Sequence, residues 1–185
     1  ALLQRVTGLS ARVSARVLAE LAGRRQRLEP VSDLPGMAAH EAALRQGRWL
    51  PLDEIVPGAV GLLRDRPELV TDLGLDWIGV DEYQDINQAQ YELIRLLAPN
   101  GRGLTVIGDP DQAIYGFRGS DVRYFLQFTR DFPGAITVGL DTNFRSSGAI
   151  VKASAQVMAP GRSALSASVR SAAGPGVQVR AEGLP

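Results

Sequence analysis

The stretch Trp77-Ile78-Gly79-Val80-Asp81-Glu82-Tyr83-Gln84-Asp85 decides the fold class. Four residues without a charge end abruptly in two adjacent carboxylates. A short apolar run with no polar alternation suits a strand buried on both faces of a parallel sheet. Two further runs repeat the pattern. Leu104-Thr105-Val106-Ile107 ends in Gly108-Asp109, and Ile136-Thr137-Val138-Gly139-Leu140 ends in Asp141, followed by Asn143-Phe144-Arg145. Between the first two runs, Asn87 stands as an N-cap with Gln90 three residues on, and Ile86 and Tyr91 occupy the positions of a hydrophobic staple. Leu93, Ile94, Leu96 and Leu97 form the buried stripe of that helix, which Pro99-Asn100-Gly101 stops. Between the second and third runs, Val122, Phe125, Leu126 and Phe128 mark another helix, closed by Pro133-Gly134. Strand, helix, strand, helix, strand predicts an α/β domain with right-handed crossovers.

All three runs deliver polar residues at their carboxyl ends, the edge at which open α/β sheets bind ligands. An acidic residue there can hold Mg²⁺, largely through water, because that ion keeps much of its hydration shell. A second carboxylate beside it can accept a proton from an attacking water. An acidic loop preceding a helix has an ordinary reading too, since negative charge favours a helix N-terminus. The presence of two further motifs in order argues against that reading here.

Upstream, the texture is helical. Val13, Val17, Leu18, Leu21 and Leu28 recur at helical spacing over 11–28, with arginines on the opposite face, as in a packing helix with a solvated side. Pro30, Pro35 and Gly36 break it. A second helix is predicted over 37–46, and Trp49, Leu50 and Pro51 lead into a third near 53–64. His40 has no partner at ligand spacing and reads as a surface residue. Nothing in the first seventy residues carries chemistry.

The 185 residues suffice for one ordinary domain or parts of two. Apolar residues make up 45% and charged residues 22%, the balance of a globular protein rather than a disordered or fibrous one. No apolar run is long enough to cross a bilayer. No secretory signal opens the chain, and cysteine is absent, which removes disulfides and thiolate metal sites. A reducing cytoplasm is the expected location. Net charge is zero, so no global electrostatic footprint marks a nucleic-acid partner. Starting at Ala1 without an initiator methionine, the chain reads as a fragment.

Taken together, residues 77–152 resemble the middle of the motor in superfamily 1A DNA helicases of the UvrD/Rep/PcrA group. Asp81-Glu82-Tyr83-Gln84-Asp85 is similar to their motif II, residues 108–120 (Gly108 through Ser120) to motif III, and Leu140-Asp141-Thr142-Asn143-Phe144-Arg145-Ser146-Ser147 to motif IV. The resemblance implies a P-loop NTPase (RecA-like) parallel sheet with flanking helices, incomplete, and preceded by a helical insertion. It implies three parts: 1–72 as the end of a 1B-like insertion, 73–140 as the C-terminal part of the first motor domain, and 141–185 as the start of the second. In that second part a helix through Met158, a polar loop and a short strand around Val177-Gln178-Val179 are expected.

Roles follow from the resemblance. Asp81 would hold Mg²⁺ and Glu82 would be the general base. Gln112 would sense the γ-phosphate of ATP and link it to the DNA site. Tyr115 and Phe117 would lie under single-stranded bases, with Arg118 stabilising that loop or reaching the DNA backbone. Phe144 would stack on adenine, and Arg145 would reach across the domain cleft to the γ-phosphate. The implied partners are single-stranded DNA, single-strand/duplex junctions and the rest of the helicase polypeptide, in a bacterial cytoplasm near the nucleoid, with DNA repair among the expected processes and 3′-to-5′ movement.

The phosphate-binding pattern Gly-x-x-x-x-Gly-Lys-Ser/Thr does not occur in the chain, and Lys152, its only lysine, lacks that glycine spacing. The isolated chain is therefore expected to hydrolyse ATP negligibly. Two other readings stay open on the sequence. One is the helicase part of a RecB/AddA-like helicase–nuclease, toward which Gly108-Asp109-Pro110 leans while Tyr83 and Asp111 lean back. The other is a degenerate motor that only binds single-stranded DNA. A metal-dependent nuclease on Asp81, Glu82 and Asp85 would leave Gln112 and Arg145 unexplained.

Overall fold

The computed structural model describes residues 1–161 and 168–180. Helices α1 (Leu2–Thr7), α2 (Ala11–Gln26), α3 (Met37–Gly47), α4 (Leu52–Asp65) and α5 (Glu68–Asp72) come first. Then follow β1 (Ile78–Val80), α6 (Gln88–Leu97), β2 (Leu104–Val106), α7 (Arg123–Leu126), α8 (Phe128–Asp131), β3 (Thr142–Asn143), α9 (Gly148–Met158) and β4 (Arg170–Ser171). The result is a mixed helix–strand architecture with small parallel sheets, as an α/β fold requires. Among the described residues no helix is long and apolar enough to cross a membrane.

The helical part closes around Leu3, Val17, Leu21, Leu34 and Met37, with Leu18 and Val31 packed against them. Ser10 caps α2, its side chain accepting the Val13 N–H. Arg25 on α2 is buried and meets both carboxylates in the first turn of α4: Asp53 at 3.0 Å, and Glu54. His40, expected at the surface, is instead buried next to this group. Helical periodicity explains the miss. On α3, His40 follows buried Met37 by three residues and so shares its inward face.

Burial, and secondarily the Arg25 charge, push the His40 pKa below its ordinary value. The folded state thus favours the neutral imidazole, and the unfolded chain takes up the proton more readily. Stability from this group is present above the ordinary histidine pKa of 6.5 and is lost as pH falls below it. The urea midpoint is expected to drop between about pH 7 and pH 5, with a smaller drop in His40→Gln. Equal slopes in the two proteins would show that His40 titrates as in the open chain.

The strands β1 and β2 pair in parallel, in the register Ile78–Leu104, Gly79–Thr105 and Val80–Val106. The intervening α6 begins in a complete capping box: Asn87 Oδ1 accepts the Gln90 N–H, and Gln90 Oε1 accepts the Asn87 N–H. Packing around Tyr83, Ile86, Ile94 and Phe132 then covers one face of the strand pair through Val80, Leu104 and Val106. The stacked rings of Tyr91 and Tyr124, 4.3 Å apart, close the rim. The Tyr91 hydroxyl donates to Asp131 at 2.9 Å; burial and this bond push its pKa up to about 12.

Several expectations are corrected. The run 136–140 forms no strand, and Ile136, Val138 and Leu140 are each three-quarters or more exposed. Among the described residues no backbone hydrogen bond reaches it. An apolar run becomes a strand only where it is laid along a neighbouring edge, and among the described residues β1 and β2 pair only with each other, the run 136–140 joining neither outer edge. The sheet is covered on one face only: on the other, Gly79 and Thr105 are exposed beneath Trp77, whose Nε1–H donates to Thr105 Oγ1 at 2.9 Å. The helix expected over 122–128 is divided at Gln127, where the backbone leaves helical geometry (φ −100°, ψ 3°). No strand forms at 177–179. Instead Arg170–Ser171 pairs with Thr142–Asn143 in parallel. Of the polar loop expected before it, 162–167 lies outside the described residues.

Candidate functional site

The carboxyl ends of β1 and β2 lie side by side, and the site is built there. The ladder runs one step past the strands: Ile107 N–H donates to the Val80 carbonyl (2.8 Å) and Tyr83 N–H to the Ile107 carbonyl (2.9 Å). Between those two bonds the chain must reverse, and it does so at Glu82, which takes a left-handed backbone (φ 50°, ψ 43°). That conformation costs a non-glycine residue roughly 1–2 kcal/mol. The buried neighbours Tyr83 and Gln84 hold it in place. The Tyr83 ring meets Phe128 edge-on at 5.4 Å, and burial raises its pKa well above the ordinary tyrosine value. So Asp81 and Glu82 stand exposed on a rigid footing.

Each carboxylate is oriented. Asp81 Oδ1 accepts the Glu82 N–H at 2.9 Å, which leaves its other oxygen available. Among the described residues no group of three or more His, Cys, Asp or Glu side chains is arranged to hold a metal. A single fixed carboxylate fits Mg²⁺, which takes one or two carboxylates and completes its shell with water and phosphate oxygens. Glu82 Oε2 accepts from Gln84 Nε2 at 2.7 Å.

After β2, Asp109 N-caps a short 3₁₀ turn, Pro110–Gln112. Its Oδ1 accepts the Asp111 N–H (3.0 Å) and its Oδ2 accepts from Gln112 Nε2 (2.8 Å). Gln84 Oε1 accepts the Asp109 N–H at 3.0 Å. Hydrogen bonds therefore run from Glu82 through Gln84 and Asp109 to Gln112, joining the two strand ends. Gly108 leaves the room: a Cβ there would meet Gln84 Oε1 at 2.5 Å and the Phe125 ring at 2.9 Å.

Beyond Gln112 the loop carries its aromatics outward. Phe117 is 80% exposed, and the Tyr115 and Phe117 centroids lie 6.2 Å apart. The Arg118 guanidinium sits 5.3 Å from one and 5.4 Å from the other, a cation–π contact to both. Gly119 (φ 85°) ends the turn where a Cβ would strike Gln26 at the end of α2. The loop thus leans on the helical part, and the rings face solvent as a ready stacking surface.

A family model described as the UvrD/REP helicase N-terminal domain matches residues 34–133. The chain belongs to the UvrD/REP helicase family. Within that family it is 37% identical over 123 residues to the ATP-dependent DNA helicase PcrA of Staphylococcus aureus (strain Mu50), a match covering 65% of this chain and 17% of that protein. PcrA of Leuconostoc citreum is 36% identical over 122 residues (65% and 16%), and PcrA of Staphylococcus epidermidis 38% over 121 residues (64% and 17%). The chain spans about a sixth of the length of these curated relatives.

Of the residues singled out in the sequence, the structure gathers Asp81, Glu82, Gln112, Tyr115, Phe117 and Arg118 along the β1–β2 edge and the loop leaving it. Phe144 and Arg145 are placed apart, after β3. There Asn143 Oδ1 accepts the N–H groups of Arg145 (2.9 Å) and Ser146 (2.7 Å), a local turn that leaves both side chains exposed. Among the described residues, no hydrogen bond or ion pair joins Arg145 to Glu82 or Gln112. Spacing arguments passed over Gln84. Its partner lies 25 positions away, and only the strand pairing brings the two together.

Proposed function

We propose that this UvrD/REP segment is the middle of an ATP-driven DNA helicase motor, which couples ATP hydrolysis to 3′-to-5′ travel on single-stranded DNA and to opening of single-strand/duplex junctions. The observation that carries this reading is the hydrogen-bonded chain Glu82–Gln84–Asp109–Gln112, which connects the acidic edge to the exposed aromatic loop. Residues 1–72 belong to a helical insertion, 73–140 complete a first RecA-like domain of P-loop type, and 141–185 open a second. In this reading the protein works in a bacterial cytoplasm near the nucleoid, with DNA repair among its processes; the relatives' names supply the bacterial source and the ATP-dependent DNA helicase activity of those proteins.

In this reading Glu82 accepts the proton of the water that attacks the γ-phosphate, and Gln112 orients toward that phosphate. Asp81 would hold Mg²⁺, which when bound supplies charge neutralisation at the phosphate oxygens. Phe144 stacks on the adenine, and Arg145 supplies positive charge to the transferring group from the second domain. Tyr115 and Phe117 carry single-stranded bases on their faces, and Arg118 braces both rings.

Base stacking on an aromatic side chain contributes about 1–3 kcal/mol and tolerates any sequence. In the full-length protein, Tyr115→Ala and Phe117→Ala are each expected to weaken binding of an oligo-dT strand about 5- to 150-fold, read by fluorescence anisotropy. Affinities within twofold of wild type for both variants would remove the loop from the DNA site. The segment alone, which holds no Gly-x-x-x-x-Gly-Lys-Ser/Thr loop to cradle the phosphates, is expected to hydrolyse ATP negligibly. Turnover comparable to the full-length protein, abolished by Glu82→Gln, would overturn that expectation.

A further inference from the structure

Gln84 is 1% exposed, although Glu82 two residues before it faces solvent. Its carboxamide is used at both ends. Nε2 donates to Glu82 Oε2 at 2.7 Å and to Asp85 Oδ2 at 3.4 Å, while Oε1 accepts the Asp109 N–H at 3.0 Å. Ionised carboxylates only accept and a backbone N–H only donates, so this set of partners admits one orientation of the amide. The amide is buried, with its Oε1 lying close over Gly108. Glu82, by contrast, is an exposed side chain that samples other rotamers in the absence of a fixed partner.

Resting on the reading of Glu82 as general base, we propose that Gln84 is a positioning residue for ATP hydrolysis. It holds the Glu82 carboxylate in place and ties that orientation to the Asp109 backbone, whose side chain in turn holds Gln112. The proton acceptor and the phosphate-facing glutamine are then set by one buried amide, across two strand ends. Asp109 is the junction: its N–H faces Gln84 and its carboxylate faces Gln112.

Misplacing a reacting group by about 1 Å can cost on the order of 10²-fold in rate without weakening binding. In the full-length protein, Gln84→Met, of similar length but with neither donor nor N–H acceptor, is expected to lower kcat for oligo-dT-stimulated hydrolysis about 10- to 100-fold. KM for ATP should stay within about twofold. Gln84→Leu, which likewise can neither donate to Glu82 nor accept the Asp109 N–H, should show the same loss. A second variant guards against misfolding of the first. The decisive readout is the double variant Glu82→Gln/Gln84→Met. A residue acting through Glu82 adds nothing once Glu82 is gone, so its kcat should match that of Glu82→Gln alone within about twofold.

Wild-type kcat in either Gln84 variant overturns the proposal, as do losses that multiply in the double variant. If Glu82→Gln itself leaves kcat unchanged, the assignment of the general base has failed, and the role of Gln84 falls with it. Those two failures are told apart by the Glu82→Gln control alone.

Discussion

In the full-length protein, Glu82→Gln is expected to lower single-strand-stimulated ATP turnover about 10²–10⁴-fold, the usual contribution of a general base. The substitution is chosen for what it preserves. Glutamine has the same length, so the strained backbone at position 82 (φ 50°) carries a side chain of the same bulk. Its carbonyl oxygen can still accept from Gln84 Nε2, which keeps the rest of the hydrogen-bonded chain intact. What is removed is the capacity to take a proton. Binding of nucleotide should therefore change little while phosphate release collapses. The measurement is the initial rate of phosphate release at saturating Mg·ATP and oligo-dT, beside the Kd of a fluorescent ATP analogue. A rate within threefold of wild type would take the proton-accepting role away from Glu82.

The second large effect is expected at Arg145. An arginine that meets the transferring phosphoryl group contributes around 10³–10⁵-fold in rate. Arg145→Ala in the full-length protein should lose most of that, and Arg145→Lys should recover little, since an ammonium lacks the planar fork that spans two phosphate oxygens. The local structure suits a group that reaches outward. The Asn143 side chain fixes the turn by accepting two successive N–H groups, which leaves the Arg145 side chain on an exposed position. Single-turnover hydrolysis separates the outcomes. Loss of the chemical step at unchanged ATP affinity supports the cleft role. A loss confined to KM would make Arg145 a binding residue, and no loss would detach it from the nucleotide.

The parts of the fold that could be read from sequence share one property: their determinants are local. The Asn87–Gln90 box lies within four residues, and both of its hydrogen bonds are present. The ends of α6 and the runs at β1 and β2 were legible for the same reason. Readings failed where the outcome depended on a distant partner. The composition of residues 136–140 announces burial but cannot name a neighbouring strand, and among the described residues none pairs with it. Val177-Gln178-Val179 has the residues of a strand, yet it is Arg170–Ser171 that pairs with β3. The lack of ligand partners around His40 is a chemical criterion and is silent on burial, which its place on the inward face of α3 decides. In the site, the charged and aromatic residues stood out by type. Gln84 did not, because an amide between two acids reads as a loop residue until the strand pairing lays Asp109 beside it.

The open ribbon at 136–140 bears on how the segment behaves in a test tube. Ile136, Val138 and Leu140 occupy alternate positions, so an extended backbone would turn all three toward one side. Beside them lie amide groups that no strand in the described chain has claimed. Such a seam is a template on which another copy can lay its own strand, with nothing charged between Ala135 and Leu140 to deter it. The ribbon therefore gives the chain a site for self-association that its zero net charge does nothing to oppose. Single lysines placed at the three alternate positions are the economical route to concentrated, well-behaved samples.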